Sequence, residues 1–77
     1  MKVEILGTGC AKCRALEENV KKALKELGIN AEVRKVEKIE EIISYGVMST
    51  PALVIDNEIV SEGRVLGVEE LKEMLRR

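Results

Sequence analysis

The sequence predicts an α/β protein with a four-stranded mixed sheet flanked by helices, in the order β-α-β-α-β-β-α. Three observations predict it. Short apolar runs that read as strands alternate with stretches whose apolar residues recur every three or four positions, the helical period. A long helical stretch separates the first two strands, and a β-α-β unit of this kind makes its strands parallel. Two later strand-like runs stand only Asp56-Asn57 apart, a spacing that suits a two-residue hairpin and an antiparallel pair.

The elements follow in order. Lys2 to Leu6 reads as a short buried strand. Ala11 to Leu27 reads as a helix, with Cys13, Leu16, Val20, Leu24 and Leu27 forming one stripe and Ala23 beside it. Glu17–Lys21 and Glu18–Lys22 are i, i+4 pairs in the favourable order on the outer face, and Gly28 is a natural stop. Ala31 to Val36 is strand-like and polar enough for a sheet edge. Glu37 to Tyr45 carries Ile39, Ile42 and Ile43 at helical spacing and ends at Gly46. Ala52 to Ile55 is a continuous apolar run that suits a central strand, and Glu58 to Ser61 returns as an edge strand. Val68, Leu71, Met74 and Leu75 mark a last short helix, whose C-terminal dipole suits Arg76 and Arg77. Tyr45 and Met48 are expected in the core or at its rim, with the shaping of a substrate groove as the other reading. No linker, repeat or low-complexity stretch divides residues 1–77, so one domain is expected.

Composition narrows the function classes. The 13 basic and 14 acidic residues are interspersed and give a net charge of −1, which argues against a nucleic-acid partner. No apolar run approaches the ~20 residues of a membrane helix, and Met1-Lys2 leads directly into a strand pattern, so a cytoplasmic protein away from membranes is expected. No long exposed apolar stripe is evident, and a monomer is expected. Histidine is absent, which removes Cys-His nucleophile pairs and Cys₂His₂ zinc sites.

The chemistry concentrates in Gly7-Thr8-Gly9-Cys10-Ala11-Lys12-Cys13, where the first strand hands over to the first helix. Cys10 and Cys13, three residues apart on one helix face, have Cβ atoms roughly 5–6 Å apart, a span that a disulfide bridges with modest adjustment. A helix start carries unpaired N–H groups and about half a positive charge, so a thiol there ionises more easily, and the thiolate is the reactive species. Strand, Cys-x-x-Cys, helix is the layout of a dithiol–disulfide redox site. Three other readings stand beside it, one of them two ordinary buried cysteines. The pair is also half of a soft-metal site for zinc or copper. As a structural staple it closes so short a loop that the chain-entropy gain is only about 2 kcal/mol.

With Cys10-Ala11-Lys12-Cys13 after the first strand, Thr50-Pro51 before the third and Gly63 after the hairpin, the chain resembles the thioredoxin/glutaredoxin superfamily. Within it, the chain is similar to the small archaeal and bacterial thioredoxin-like redox-active disulfide proteins. The resemblance covers essentially the whole chain and implies a thioredoxin-like fold. It implies a thiol–disulfide oxidoreductase in which Cys10 is the attacking thiol and Cys13 the buried resolving thiol, working through a mixed disulfide. It implies that Pro51 is the family's cis-proline, packed against the cysteines, and that the Thr50 backbone binds an extended substrate by β-augmentation. The implied partners are a protein or small-molecule disulfide and a separate reductase as electron donor, with no bound cofactor. Glu4, six residues before Cys10, matches the position of a buried acid that assists proton transfer in the family. Lys12, between the cysteines, is placed to stabilise a thiolate. Gly9 and Ala11-Lys12 depart from the Trp and Gly-Pro that the larger thioredoxins carry around the pair.

The rivals are a copper or zinc carrier and a thioredoxin-fold binding module without turnover. Small copper carriers also place Cys-x-x-Cys after their first strand, but in the order β-α-β-β-α-β, ending in a strand. The pattern here ends in a helix.

Overall fold

The computed structural model describes residues 1–9 and 11–76. The element order is β1 (Lys2–Leu6), α1 (Ala11–Leu27), β2 (Glu32–Val36), α2 (Ile39–Ser44), β3 (Ala52–Ile55), β4 (Glu58–Glu62) and α3 (Val68–Leu75). The strands form one sheet in the order β2-β1-β3-β4. β1 runs parallel to β2 and antiparallel to β3, and β3 pairs antiparallel with β4. The two apolar strands, β1 and β3, are therefore central, and the polar ones form the edges.

Strand alternation sorts the core onto two faces. Val3 and Ile5 of β1, with Leu53 of β3, face α1 and α3 and pack with Leu16, Val20, Leu24, Leu66, Leu71 and Leu75. Leu6, Ala52 and Val54 point the other way and pack with Val36 and Ile42, with Tyr45 and Val47 at the margin. By the same alternation Glu4 lies on this second face, wholly buried.

Local chemistry fixes the ends. Gly28 closes α1 in the left-handed region (φ 68°). The Gly28 N–H donates to the Lys25 carbonyl at 3.2 Å and the Ile29 N–H to the Leu24 carbonyl at 3.0 Å, the paired bonds of a Schellman cap. Asp56 and Asn57 both take positive φ (48° and 68°), the signature of a type I′ hairpin turn. The register of β3 and β4 slips between Leu53 and Val54, leaving Val60 as the extra residue of a bulge on the edge strand. Asn19, on α1, donates to the Leu66 carbonyl at 2.9 Å and pins the β4–α3 connection to that helix.

Two expectations are corrected. The second helix is six residues long rather than the Glu37–Tyr45 span, because Lys38 is still extended (φ −78°, ψ 128°) as the chain leaves β2, and Tyr45 is already the C-cap. Of its isoleucines only Ile42 is buried, while Ile39 and Ile43 are 60% and 67% exposed. So short a helix lays only part of its surface on the sheet. The last strand extends one residue further than expected, to Glu62. Arg76 caps α3, and Arg77 lies outside the described residues. No helix among the described residues is long and apolar enough to cross a membrane.

Candidate active site

Three segments converge where β1 ends. β1 delivers Gly7, the first turn of α1 delivers Cys13, and the connection from α2 delivers Pro51 at the head of β3. Gly7 is where they meet. A Cβ at this position would overlap the Cys13 Sγ and lie 3.3 Å from the Cys13 Cβ and 3.9 Å from the Pro51 Cα. The absent side chain at Gly7 is what lets the sulfur sit against the strand. Cys13 is buried, 6% exposed, on the same stripe as Leu16 and Val20.

Pro51 is fully buried, and the Thr50–Pro51 peptide bond is cis, as the resemblance implied. Thr50 is exposed beside it. The Gly63 N–H at the end of β4 donates to the Pro51 carbonyl at 2.9 Å, and Gly63 (φ 69°) leaves only 3.0 Å between its would-be Cβ and the Ser49 Cβ. The third motif residue thus closes the edge of the sheet over the proline segment. Cys10 lies outside the described residues; in the chain it directly precedes α1. Lys12 is exposed on the first turn, and that turn carries no acidic residue to offset the positive end of the helix.

A cavity of about 90 Å³ opens beside Cys13 between the start of α1 and the end of β2. Arg14 and Glu17 line it from the helix, Lys35 and Glu37 from the strand side. Glu17 is held at 3.1 Å by Lys21 and stands 3.9 Å from Lys35. No group of three or more His, Cys, Asp or Glu side chains among the described residues is arranged to hold a metal ion.

Glu4 is not brought to this cluster of Gly7, Cys13 and Pro51. It occupies the opposite face of the sheet, where the Tyr45 hydroxyl donates to its Oε2 at 2.5 Å. The Arg34 guanidinium is 3.7 Å from Oε2 and the Lys2 ammonium 3.9 Å from Oε1. Accepting at Glu4 and burial beside that negative charge push the Tyr45 phenol above its ordinary range, against the opposing pull of Arg34. Sequence reasoning missed this bond, for partners 41 residues apart leave no local pattern. It also missed the Met48 amide, which donates to Oε1 of Glu62 at 2.6 Å. Met48 itself is 91% exposed, neither core nor rim, because that bond holds its backbone against β4 with the side chain outward.

Comparison with known proteins agrees with this architecture. The family described as "Thioredoxin domain" matches residues 1–76. A thioredoxin of Methanothermobacter thermautotrophicus is 45% identical over 75 residues, which cover 97% of this chain and 97% of that protein. A thioredoxin of Methanocaldococcus jannaschii is 50% identical over 74 residues, covering 96% of this chain and 85% of that one. With a family match across nearly its full length, a cis-proline beside a buried helix-start cysteine and relatives at this level of identity, the chain belongs to the thioredoxin family.

Proposed function

We propose that this thiol–disulfide oxidoreductase of the thioredoxin family works through Cys10 and Cys13 as an unequal pair, within one thioredoxin-like domain spanning residues 1–77. The observation that carries the reading is the burial of Cys13 against Gly7. A sulfur enclosed there is poorly placed to meet a protein disulfide directly and well placed to attack a bond made at its neighbour.

Cys10 acts first. Its thiolate attacks one sulfur of a client disulfide, a Cys10–client bond forms, the client S–S bond breaks, and the departing sulfur takes a proton. Cys13 then loses its proton and attacks the Cys10 sulfur. The Cys10–Cys13 bond forms, the Cys10–client bond breaks, and the second client sulfur leaves as a thiol. Two electrons pass from the pair to the client, and a separate reductase returns them. The sulfurs carry the electrons themselves, so the scheme uses no bound cofactor. The positive end of α1 and the exposed Lys12 favour the thiolate form. Thr50, exposed beside Pro51, supplies backbone for an extended client segment. A reducing cytosol fits a pair that must be reset after each turnover.

The test is equilibration of the protein in dithiol–disulfide buffers, with the Cys10–Cys13 state read by alkylation and intact mass. A single two-electron transition, reversible in both directions, supports the reading. Thiols that stay reduced where a small dithiol peptide oxidises overturn it.

A further inference from the structure

The segment between α2 and β3 is tied at two points by carboxylates from different strands. At its start, Tyr45 caps α2 and donates to Glu4. Glu4 sits on β1, paired with Arg34 of β2 on one side and Val54 of β3 on the other, so the anchor lies inside the sheet rather than at its edge. Further on, the Met48 N–H donates to Glu62 of β4, which pairs with Ala52 immediately after Pro51. Between the ties Val47 packs on the second core. Met48, Ser49 and Thr50 stand exposed. A surface segment of this kind is ordinarily mobile, and ordering it only when a client binds would cost affinity.

We propose that Tyr45 and Glu62 are positioning residues for protein clients. Their two bonds hold residues 46–50 in the shape in which the Thr50 backbone meets an extended client strand. The inference rests on the reading of Thr50 given above. It also separates two substrate classes. A protein client uses the Thr50 backbone and then Cys10; a small aromatic disulfide has no extended backbone and needs only Cys10. The ties therefore bear on the first class and not the second.

The experiment compares wild type, Tyr45→Phe, Glu62→Ala and Glu62→Gln on two probes, insulin and 5,5′-dithiobis(2-nitrobenzoate), with thermal melts to show that each variant is folded. Tyr45→Phe and Glu62→Ala are expected to lower kcat/KM for insulin by about fivefold, the scale of one lost hydrogen bond, through KM rather than kcat. The rate with the small disulfide is expected to stay within about twofold of wild type. Glu62→Gln keeps an oxygen that accepts from the Met48 amide and is expected to restore most of the insulin efficiency. Loss on both probes together, or on neither, overturns the positioning role. Wild-type protein that exchanges with neither probe overturns the dithiol reading itself, and the inference with it.

Discussion

The Tyr45 hydroxyl and Oε2 of Glu4, 2.5 Å apart, join the end of α2 to the middle of β1. Glu4 is the only charged residue buried among the described residues, and Tyr45 is the chain's one tyrosine. A buried carboxylate is costly unless its oxygens are engaged. Here one oxygen accepts from the phenol, while Oε1 has no hydrogen-bond partner among the described residues and faces Lys2 at 3.9 Å. The burial of Glu4 on the second face is thus offset by one bond and two flanking cations.

That bond is directly observable, because the chain has one tyrosine and no tryptophan. Ultraviolet titration of tyrosinate should show Tyr45 ionising above the ordinary value of 10.0, and Glu4→Gln should bring it back toward that value. The folded state favours the protonated phenol. The stability from this contact is therefore fully present below a pH of about 10 and is lost as pH rises through the raised value. Ionisation at the ordinary value in wild type would contradict the bond.

A double-mutant cycle measures what the pair contributes. Tyr45→Phe leaves the Glu4 carboxylate buried with its one hydrogen bond gone and should destabilise by about 1–3 kcal/mol in chemical denaturation. Adding Glu4→Leu removes the stranded charge, so the double variant should recover part of that loss, with a coupling of about 0.5–3 kcal/mol. Strict additivity would mean that the two side chains do not interact in solution.

Gly7→Ala tests the packing of the site. The added methyl would overlap the Cys13 sulfur and lie 3.3 Å from its Cβ, with the Pro51 Cα at 3.9 Å, so the Cys13 side chain must shift within a buried site. The variant should lose about 1–3 kcal/mol of stability by overpacking and exchange disulfides more slowly. Wild-type stability together with a wild-type exchange rate would show that Cys13 does not press on Gly7.

What was legible in the sequence was what local chemistry writes. The bounds of α1, Ala11–Leu27, follow from an unbroken apolar stripe and the stop at Gly28. The hairpin follows from Asp56-Asn57, two residues that tolerate positive φ. The span of α2 was not legible, because Glu37 and Lys38 carry the chain off the sheet edge, a demand of topology rather than of propensity. The cis bond at Pro51 was reached only through the family resemblance. Gly7 is special because Cys13 and Pro51 arrive there from elsewhere in the chain. The Glu4–Tyr45 and Glu62–Met48 bonds likewise join residues 41 and 14 positions apart.

The burial of Cys13 should make the two thiols react unequally. Cys13 is 6% exposed, so iodoacetamide near neutral pH should label Cys10 well before Cys13 in the reduced protein, read by peptide mass. Equal rates, or faster labelling of Cys13, would contradict the assigned order of attack.

The division of labour between the two sulfurs is tested most directly by trapping the intermediate. Reduced Cys13→Ser and Cys10→Ser proteins are each mixed with a protein disulfide and quenched in acid, and the covalent adducts are read by intact mass. The expected result is a stable mixed disulfide through Cys10 in Cys13→Ser, because no second sulfur is present to release the client, and little or no adduct in Cys10→Ser. Adducts of equal yield in both variants, or an adduct only through Cys13, would contradict the account.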